Sequence, residues 1–192
     1  FVPRDAGHVF LSADYSQVEL RLLAHLADDP GLLAAFREGA DVHRRTAALI
    51  AGVPEDAVDS DMRSRAKAIN FGVIYGMGAR ALARQIGVKV NEATAFIATY
   101  FETYPGVKTF IEQTRAQAHR DGYVETLLGR RRLLPEIAST NNRERSFQER
   151  VAVNTPIQGT AADLIKLAML RISGELAASG SGALLLLQVH DE

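Results

Sequence analysis

Apolar residues recur at three- and four-residue intervals along most of the chain. Residues 17–27 are an example, with Val18, Leu22 and Leu26 on one face. This spacing predicts helices that bury one side. Glycine and proline residues interrupt the pattern and divide it into segments. We therefore predict helices over residues 17–27, 32–38, 42–51, 61–75, 79–86, 91–104, 107–121, 143–154 and 161–178, with a short helical turn over 54–58.

Polar residues with short side chains precede several of these segments and predict where the helices begin, because such side chains accept hydrogen bonds from free amides of the first turn. Pro156 and Gly159 are expected to interrupt the chain between two long helices. The predicted caps of the helices that start at 42, 61, 91 and 161 are Asp41, Asp59 or Ser60, Asn91, and Thr160 paired with Asp163.

Two short apolar segments, residues 9–13 and 183–189, lack helical spacing and predict buried strands. A β-ribbon is predicted over 123–128 and 132–134, with its turn at Gly129 and Arg130. The fold class that follows is α+β and predominantly helical, with one strand near each end of the chain.

One predicted helix carries a stripe of four side chains spaced four residues apart: Arg63, Lys67, Phe71 and Tyr75. This spacing keeps them on one helix face, with the two cations first and the two rings last. The order suits a nucleoside triphosphate, whose phosphates would meet the cations and whose sugar and base would meet the rings. The same spacing is also found in an ordinary surface helix with solvated cations and core-facing rings.

Composition excludes some classes of protein and leaves polyanion binding open. Hydrophobic residues make up 47% and charged residues 23%, as in a soluble globular protein. The absence of cysteine excludes disulfides and thiolate metal sites. The net charge is only −1, yet residues 62–91 carry six basic residues and no acidic one. Such a block can bind a polyanion, because charges act over a Debye length of about 8–10 Å.

Three carboxylates follow the two predicted strands: Asp14 after the first, and Asp191 and Glu192 after the last. If these strands are neighbours in a sheet, the carboxylates converge on one point. Carboxylate oxygens are ligands that Mg²⁺ accepts, together with water and substrate phosphates. Two such ions suit phosphoryl transfer. The alternative is that these residues are surface acids at strand ends.

Polar residues form two further candidate groups. Gln17 and Glu19 lie at the predicted strand-to-helix junction, where they also fit an ordinary polar first turn. Amide and imidazole side chains can donate hydrogen bonds to base pairs in the minor groove, because every base pair presents acceptors there. This second group consists of Arg150, Asn154, Gln158 and His190. The alternative for the first three is helix capping and loop hydrogen bonds, and for His190 it is a plain turn residue.

Together these segments resemble the polymerase core of family A DNA polymerases, the group of bacterial DNA polymerase I. Residues 14–21 are similar to the family's motif A, DYSQxELR. Residues 63–76 are similar to motif B, RxxxKxxxFxxxYG, and residues 188–192, QVHDE, to motif C. Residues 149–163 resemble a further family stretch, ERxAxNxPxQGTAAD. The resemblance covers essentially the whole chain, with the motifs in the family's order.

The resemblance implies a metal site and a catalytic set. Asp14 and Asp191 would hold two Mg²⁺ ions, with the backbone carbonyl of Tyr15 as a further ligand. Glu192 would support this site. Lys67 would join these acids as a catalytic residue that binds the triphosphate of the incoming deoxynucleotide.

It also implies a nucleotide and DNA site. Arg63 would share the triphosphate with Lys67, Phe71 would pack on the sugar, and Tyr75 would flank the templating position. Glu19 would exclude a ribose 2′-OH. The remaining residues implied by the resemblance are Gln17 and His43 at the nucleotide phosphates, and Arg150, Asn154, Gln158 and His190 along the primer–template.

The resemblance further implies part of a right-hand polymerase fold with an incomplete sheet. Residues 1–24 would be a palm segment with motif A, 25–148 the fingers subdomain with the motif B helix, and 149–192 a palm segment that ends at motif C. We expect a piece of a longer protein, inactive alone.

The longer protein is expected to be a monomeric, cytoplasmic, nucleoid-associated bacterial enzyme without membrane contact. A single-subunit RNA polymerase is an alternative that Glu19 disfavours, because an RNA-making enzyme must admit the 2′-OH. A non-catalytic nucleic-acid-binding module is a second alternative, and it would not need the carboxylates.

Overall fold

The computed structural model describes residues 3 and 5–189 and is mostly helical. Its helices are joined by short turns, and a small β-ribbon lies between the seventh and eighth. The elements are α1 (Val18–Leu26), α2 (Pro30–Arg37), α3 (Val42–Ala51), a 3₁₀ turn (Glu55–Ala57), α4 (Ser60–Ile74), α5 (Ala79–Ile86), α6 (Val90–Thr103), α7 (Pro105–Asp121), β1 (Tyr123–Glu125), β2 (Arg131–Leu133), α8 (Asn142–Asn154), a π-helical segment (Thr155–Gly159) and α9 (Thr160–Ser179).

The main core forms where helices α1 to α7 pack together and against the π-helical segment. Apolar side chains from each of these helices are buried there, among them Leu20, Leu32, Ile69 and Tyr100. Helix α3 packs along α4, and α5 packs along α6. The helical spacing of apolar residues in the sequence is therefore satisfied by helix-on-helix packing.

The buried carboxylate of Asp29 joins two helix starts that are distant in sequence. Its Oδ1 accepts hydrogen bonds from the amides of Gly31 (3.0 Å) and Leu32 (3.1 Å) at the start of α2. Its Oδ2 accepts one from the amide of Gly106 (2.9 Å) in α7. A Cβ on Gly106 would lie 2.8 Å from the carbonyl oxygen of Ala27, so the close approach of these segments requires glycine.

The β-ribbon and two helices enclose a second, smaller core. Strands β1 and β2 are antiparallel, with Tyr123 opposite Leu133 and Glu125 opposite Arg131. The turn passes through Gly129 in the left-handed region, as the sequence predicts. The buried apolar residues of this core are Ala118, Val124, Leu134, Ile137 and Ala152.

Helix α8 continues into α9 without a break, which corrects the predicted interruption at Pro156 and Gly159. Residues Thr155–Gly159 form a wider π turn, which accommodates a residue without an N–H. Thr160 is not the N-cap of α9, because the residues before it, Thr155–Gly159, are already helical and α9 has no free N-terminus there. Its hydroxyl instead donates to the Pro156 carbonyl (2.5 Å) and accepts from the Leu127 amide (3.0 Å).

The predicted strands over 9–13 and 183–189 are wrong. Both segments are irregular in structure, and neither pairs with another strand within residues 5–189. Their apolar side chains are exposed, with Val9 at 86% and Leu11 at 92%. A strand requires a neighbouring strand to bond its backbone, and the one described sheet, formed by β1 and β2, does not include these segments.

Two helix starts also differ from the prediction. Helix α6 begins after Lys89, whose amide donates to Oε2 of Glu92 (2.8 Å), so Asn91 lies inside the helix and is not its cap. Helix α7 begins at Pro105, where a residue without an N–H suits the first turn. The α+β, predominantly helical fold class is confirmed. The predicted division at 24/25 and 148/149 stays a prediction.

Among the described residues, none of the helices combines the length and the apolar character needed to cross a membrane.

Candidate functional site

The stripe predicted from the sequence lies on α4. Asp59 caps this helix, since its Oδ1 accepts a hydrogen bond from the Met62 amide (2.8 Å). Lys67 is exposed and Phe71 half-buried. Tyr75 lies one residue past the helix end, and its ring stacks on Phe71 with centroids 6.3 Å apart and planes at 15°. The two rings therefore form one continuous aromatic surface.

Glu19 is held against the end of this aromatic surface. The hydroxyl of Tyr75 donates a hydrogen bond of 2.5 Å to Oε2 of Glu19, across 56 positions of sequence. Glu19 belongs to the first turn of α1, and both residues are half-buried. The contact places a carboxylate from the 14–21 segment beside the rings of the 63–76 segment.

The ring of His43 also contacts Phe71 and extends this surface. The two ring centroids are 5.8 Å apart at an angle of 44°. Asn70 on α4 is fully buried, and its Nδ2 lies 2.9 Å from Nδ1 of His43. Burial lowers the pKa of His43 below its ordinary value of 6.5, and the charges of Arg63 and Lys67 lower it further against an opposing effect of Asp41.

Asp41 connects the starts of α3 and α4. Its Oδ1 accepts hydrogen bonds from the amides of His43 (3.0 Å) and Arg44 (3.1 Å), which caps α3. Its Oδ2 accepts one from Nε of Arg63 (2.6 Å). Burial alone would raise the pKa of Asp41, but the hydrogen bond from Arg63 and the two amides lower it overall. Within residues 5–189 the two Nη atoms of Arg63 carry no hydrogen bond, so they are available to an anion.

Gln17 has a strained backbone and a polar atom without a partner. Its φ of 55° and ψ of 38° lie in the left-handed region, which is costly for a residue with a side chain. Its buried Oε1 has no hydrogen-bond partner among the described residues. An open cavity of about 270 Å³ lies beside it, lined by Ser16, Gln17, Arg21, Phe36, Gly39, Ala40 and Asp41.

The predicted metal site lies only partly within the described structure. Asp14 and Tyr15 are exposed on the irregular segment before α1. Asp191, Glu192 and His190 lie outside the described residues. Among the residues that are described, no group of three His, Cys, Asp or Glu side chains could hold a metal ion. The metal-binding and catalytic roles of Asp14, Tyr15, Asp191 and Glu192 therefore stay predictions.

Two of the predicted DNA-binding residues lie on α8 and one lies in the π turn. Arg150 packs over Gly76, where an added Cβ would lie 2.9 Å from its Cγ. Asn154 has a buried Oδ1 without a hydrogen-bond partner in the described part of the chain. Gln158 is exposed on the π-helical segment. The wide turn shifts Gln158 from the straight line that four-residue spacing predicts.

Comparison with known proteins identifies the family. The model of DNA polymerase family A matches residues 1–192, the whole chain. The chain belongs to DNA polymerase family A. The family prediction made from the three motifs is thereby confirmed.

Relatives in this family are bacterial DNA polymerases I. The chain is 58% identical over 186 residues to that of Pseudomonas aeruginosa, covering 97% of this chain and 20% of the relative. It is 53% identical to that of Deinococcus radiodurans, covering 100% and 20%. A thermostable relative from Thermus aquaticus is 49% identical, covering 98% and 22%. The chain thus spans about a fifth of the length of these relatives.

A solved structure of the family supports the fold. The polymerase domain of Pol1 from M. smegmatis, in complex with a DNA primer–template and dNTP, has a TM-score of 0.89 and 44% identity. The match covers 93% of this family A chain and 31% of the other chain.

Two residues that contact the predicted site residues were missed in the sequence analysis. Asp41 was predicted only as a helix cap, although its second oxygen binds Arg63. Asn70 was not selected at all, although it bonds His43 across 27 positions. One signal for Asn70 was available in the sequence. It is a polar residue on the side of the stripe helix that the apolar spacing predicts to be buried.

Proposed function

We propose that this chain is the nucleotide-selecting part of a DNA polymerase, which transfers a nucleotidyl group from a dNTP to a primer 3′-OH. The observation that carries the proposal is the hydrogen bond between Glu19 and Tyr75. It places the Glu19 carboxylate beside the two stacked rings of the stripe, whose helix also carries Arg63 and Lys67, and this chemistry suits the sugar, base and phosphates of a nucleotide.

The phosphates would bind along the first half of α4. Arg63 offers both Nη atoms as a fork for phosphate oxygens, while its Nε is held by Asp41. Lys67, one turn further, is exposed and acts as a mobile point charge. His43 lies beside Phe71 and adds a hydrogen-bond donor, and Gln17 is proposed to contact the same phosphates.

The sugar would lie against Phe71 and Glu19. Tyr75 fixes the Glu19 carboxylate through the hydrogen bond described above, so the carboxylate cannot swing away freely. A carboxylate at this position leaves no room for a 2′-hydroxyl, which favours deoxynucleotides and a DNA product over RNA. The stacked ring of Tyr75 would then flank the templating base.

Family A DNA polymerases generally depend on metal ions, and we propose that this one uses two Mg²⁺. Asp14 is exposed and forms no ion pair within residues 5–189, and its oxygens are suitable Mg²⁺ ligands. Asp14 and Asp191, with the carbonyl of Tyr15 and support from Glu192, would hold the ions. When bound, the ions would lower the pKa of the attacking 3′-hydroxyl and stabilise the charge on the leaving pyrophosphate.

Primer–template DNA and dNTPs are the proposed partners, and the complex of the M. smegmatis relative supports both. Arg150, Asn154, Gln158 and His190 are proposed to follow the primer–template. Arg150 lies over Gly76, directly after Tyr75, so its position adjoins the proposed templating site. We propose a monomer that acts in the bacterial cytoplasm at the nucleoid.

Primer extension tests the function in the natural polymerase that contains these residues, with Mg²⁺ and dNTPs. Asp14→Ala is expected to lower the extension rate by about 10³-fold or more, because a metal ion supplies several kcal/mol of charge stabilisation. The matched control is Asp56→Ala, since Asp56 is an exposed acid that lies outside the motifs.

Equal rates in both variants would contradict the metal site. Template binding without extension by the wild-type protein would favour a nucleic-acid-binding module. Processive extension by the 192-residue chain alone would contradict the prediction that this piece is inactive.

A further inference from the structure

A chain of buried polar side chains leads from His43 into the protein. Asn70 on α4 lies next to His43, Thr46 follows on α3, and Tyr104 lies at the α6–α7 junction. The distances are 2.9 Å from Asn70 Nδ2 to His43 Nδ1, 3.2 Å from Thr46 Oγ1 to Asn70 Oδ1, and 3.2 Å from Tyr104 Oη to Thr46 Oγ1. All four residues are buried.

With the Asn70 amide oriented as in the structure, its oxygen towards Thr46 and its NH₂ group towards His43, the direction of donation follows. Thr46 donates its single hydroxyl proton to Oδ1 of Asn70. Tyr104 must therefore donate to Thr46, since the Thr46 proton is already used. The other end of the Asn70 amide is an NH₂ group, which has donors and no acceptor. His43 Nδ1 must meet it as an unprotonated acceptor.

We infer that Asn70 is a positioning residue that fixes His43 as a neutral ring with its proton on Nε2. The inference rests on the proposed function, in which His43 contacts nucleotide phosphates. A proton on Nε2 gives the ring a hydrogen-bond donor for a phosphate oxygen without a net charge. The successive donors Tyr104, Thr46 and Asn70 thereby determine which nitrogen of the His43 ring carries the proton.

The surroundings keep this ring neutral. On its own helix it faces Asp41, whose charge favours protonation. From α4 it faces Arg63 and Lys67, whose charges disfavour it, and the uncharged ring of Phe71. Behind Asn70, burial raises the pKa of Tyr104, which stays a neutral donor. The acid on α1, Glu19, accepts its hydrogen bond from Tyr75.

The tautomer is measured directly by ¹⁵N NMR of the 192-residue chain labelled at histidine, near neutral pH and without nucleotide. The chain has five histidines, and His43→Gln identifies the signals of His43. We expect Nε2 to carry the proton and Nδ1 to be unprotonated. A wild-type ring with the proton on Nδ1, or a charged ring at neutral pH, would overturn the inference whether or not the protein is a polymerase.

Asn70→Asp tests the cause. The two carboxylate oxygens accept but do not donate, so His43 Nδ1 must take up a proton, and we expect its NMR signature to move to Nδ1–H. The matched control is Asn91→Asp, which adds the same charge at an exposed position in the first turn of α6. It should leave the His43 signals unchanged. A ring still unprotonated at Nδ1 in Asn70→Asp would contradict the role of Asn70.

A kinetic arm separates this role from a purely structural one. In Asn70→Asp the ring becomes neutral as the pH rises by losing its Nε2 proton, and the lone pair left there cannot donate to a phosphate. KM for dNTP in the natural polymerase should therefore rise with pH by about tenfold, with a smaller change in kcat. Dividing the KM of Asn70→Asp by the KM of Asn91→Asp at each pH removes the pH dependence that comes from titration of the nucleotide itself. A ratio that does not change with pH would contradict the link to phosphate binding. If Asn70→Asp does not fold, the wild-type NMR spectrum alone decides the tautomer.

Discussion

The region around His43 and Phe71 differs sharply from the two irregular segments at 9–15 and 183–189. In the first region, side chains from α1, α3 and α4 are bonded to each other and rest on a buried core. In the second, apolar side chains are exposed, and Asp14 forms no ion pair within residues 5–189. The residues proposed to recognise the nucleotide are therefore positioned by contacts within the described structure, whereas no ion pair there holds Asp14, which is proposed to bind metal.

This difference follows from the kind of secondary structure involved. A helix satisfies its backbone hydrogen bonds internally and needs only one apolar face to pack. A strand must find a neighbouring strand for the same purpose. The helical part of the site can form from sequence-local patterns, whereas the segments 9–13 and 183–189 would need a pairing strand that the described residues do not supply.

The largest expected effect is the loss of a buried leucine. Leu20 on α1 is fully buried, so Leu20→Ala should lower the free energy of unfolding by about 2–5 kcal/mol. Leu11→Ala, at a side chain that is 92% exposed, should change it by less than about 0.5 kcal/mol. Urea unfolding followed by circular dichroism measures both. Similar losses in the two variants would show that the 9–13 segment is packed after all.

A smaller effect is expected where the stripe meets α8. Gly76 has a φ of 65°, and an alanine there would be strained by about 1–2 kcal/mol and would displace Arg150, whose Cγ lies 2.9 Å from the added Cβ. Gly78→Ala is the matched control, because Gly78 has a φ of −79° and open space around it. Thermal unfolding should separate the two, and equal midpoints would contradict the left-handed conformation at Gly76.

Local signals in the sequence predicted much of the helical region. The predicted bounds 42–51 and 79–86 are those of α3 and α5, because glycine ends both helices and Asp41 caps the first. Motif spacing selected the stripe, and the structure places its rings together. The family, read from the motifs, is confirmed.

Long-range contacts could not be predicted in the same way. No spacing rule connects Glu19 with Tyr75, Asp41 with Arg63 or Asn70 with His43, since each pair spans more than twenty positions. The strands over 9–13 and 183–189 were predicted from apolar runs that indicate burial without naming what covers them. The π turn was missed because Pro156 usually ends a helix, and here the wider turn accommodates it.

The smallest expected effect is a change in acid sensitivity within the bonded region. The pKa of Asp41 is lowered, so its ion pair with Arg63 stabilises the fold above the ordinary value of 3.8 and is lost as the pH falls below it. Asp41→Asn keeps a capping side chain but removes the charge. The difference in unfolding free energy between wild type and variant should be under about 1 kcal/mol at about pH 6, because the pair is partly exposed, and should shrink towards about pH 3.

Urea midpoints across this pH range measure the effect. Asp59→Asn is the control, since Asp59 caps α4 in the same manner and pairs with no base among the described residues. A difference that grows as the pH falls would have the wrong sign for a lowered pKa and would contradict the ion pair.

The unbroken path from α8 through the π turn into α9 makes a single rod about 55 Å long at 1.5 Å per residue. The regular helical turns on either side of the π-helical segment are held by i→i−4 hydrogen bonds and resist twisting. The rod's one wide turn is its most compliant point, and it lies where Gly159 meets Thr126 of the β-ribbon and Arg130. Any twist of α9 should therefore be absorbed next to Gln158, while Arg150 and its contact with Gly76 move together as one stiff unit.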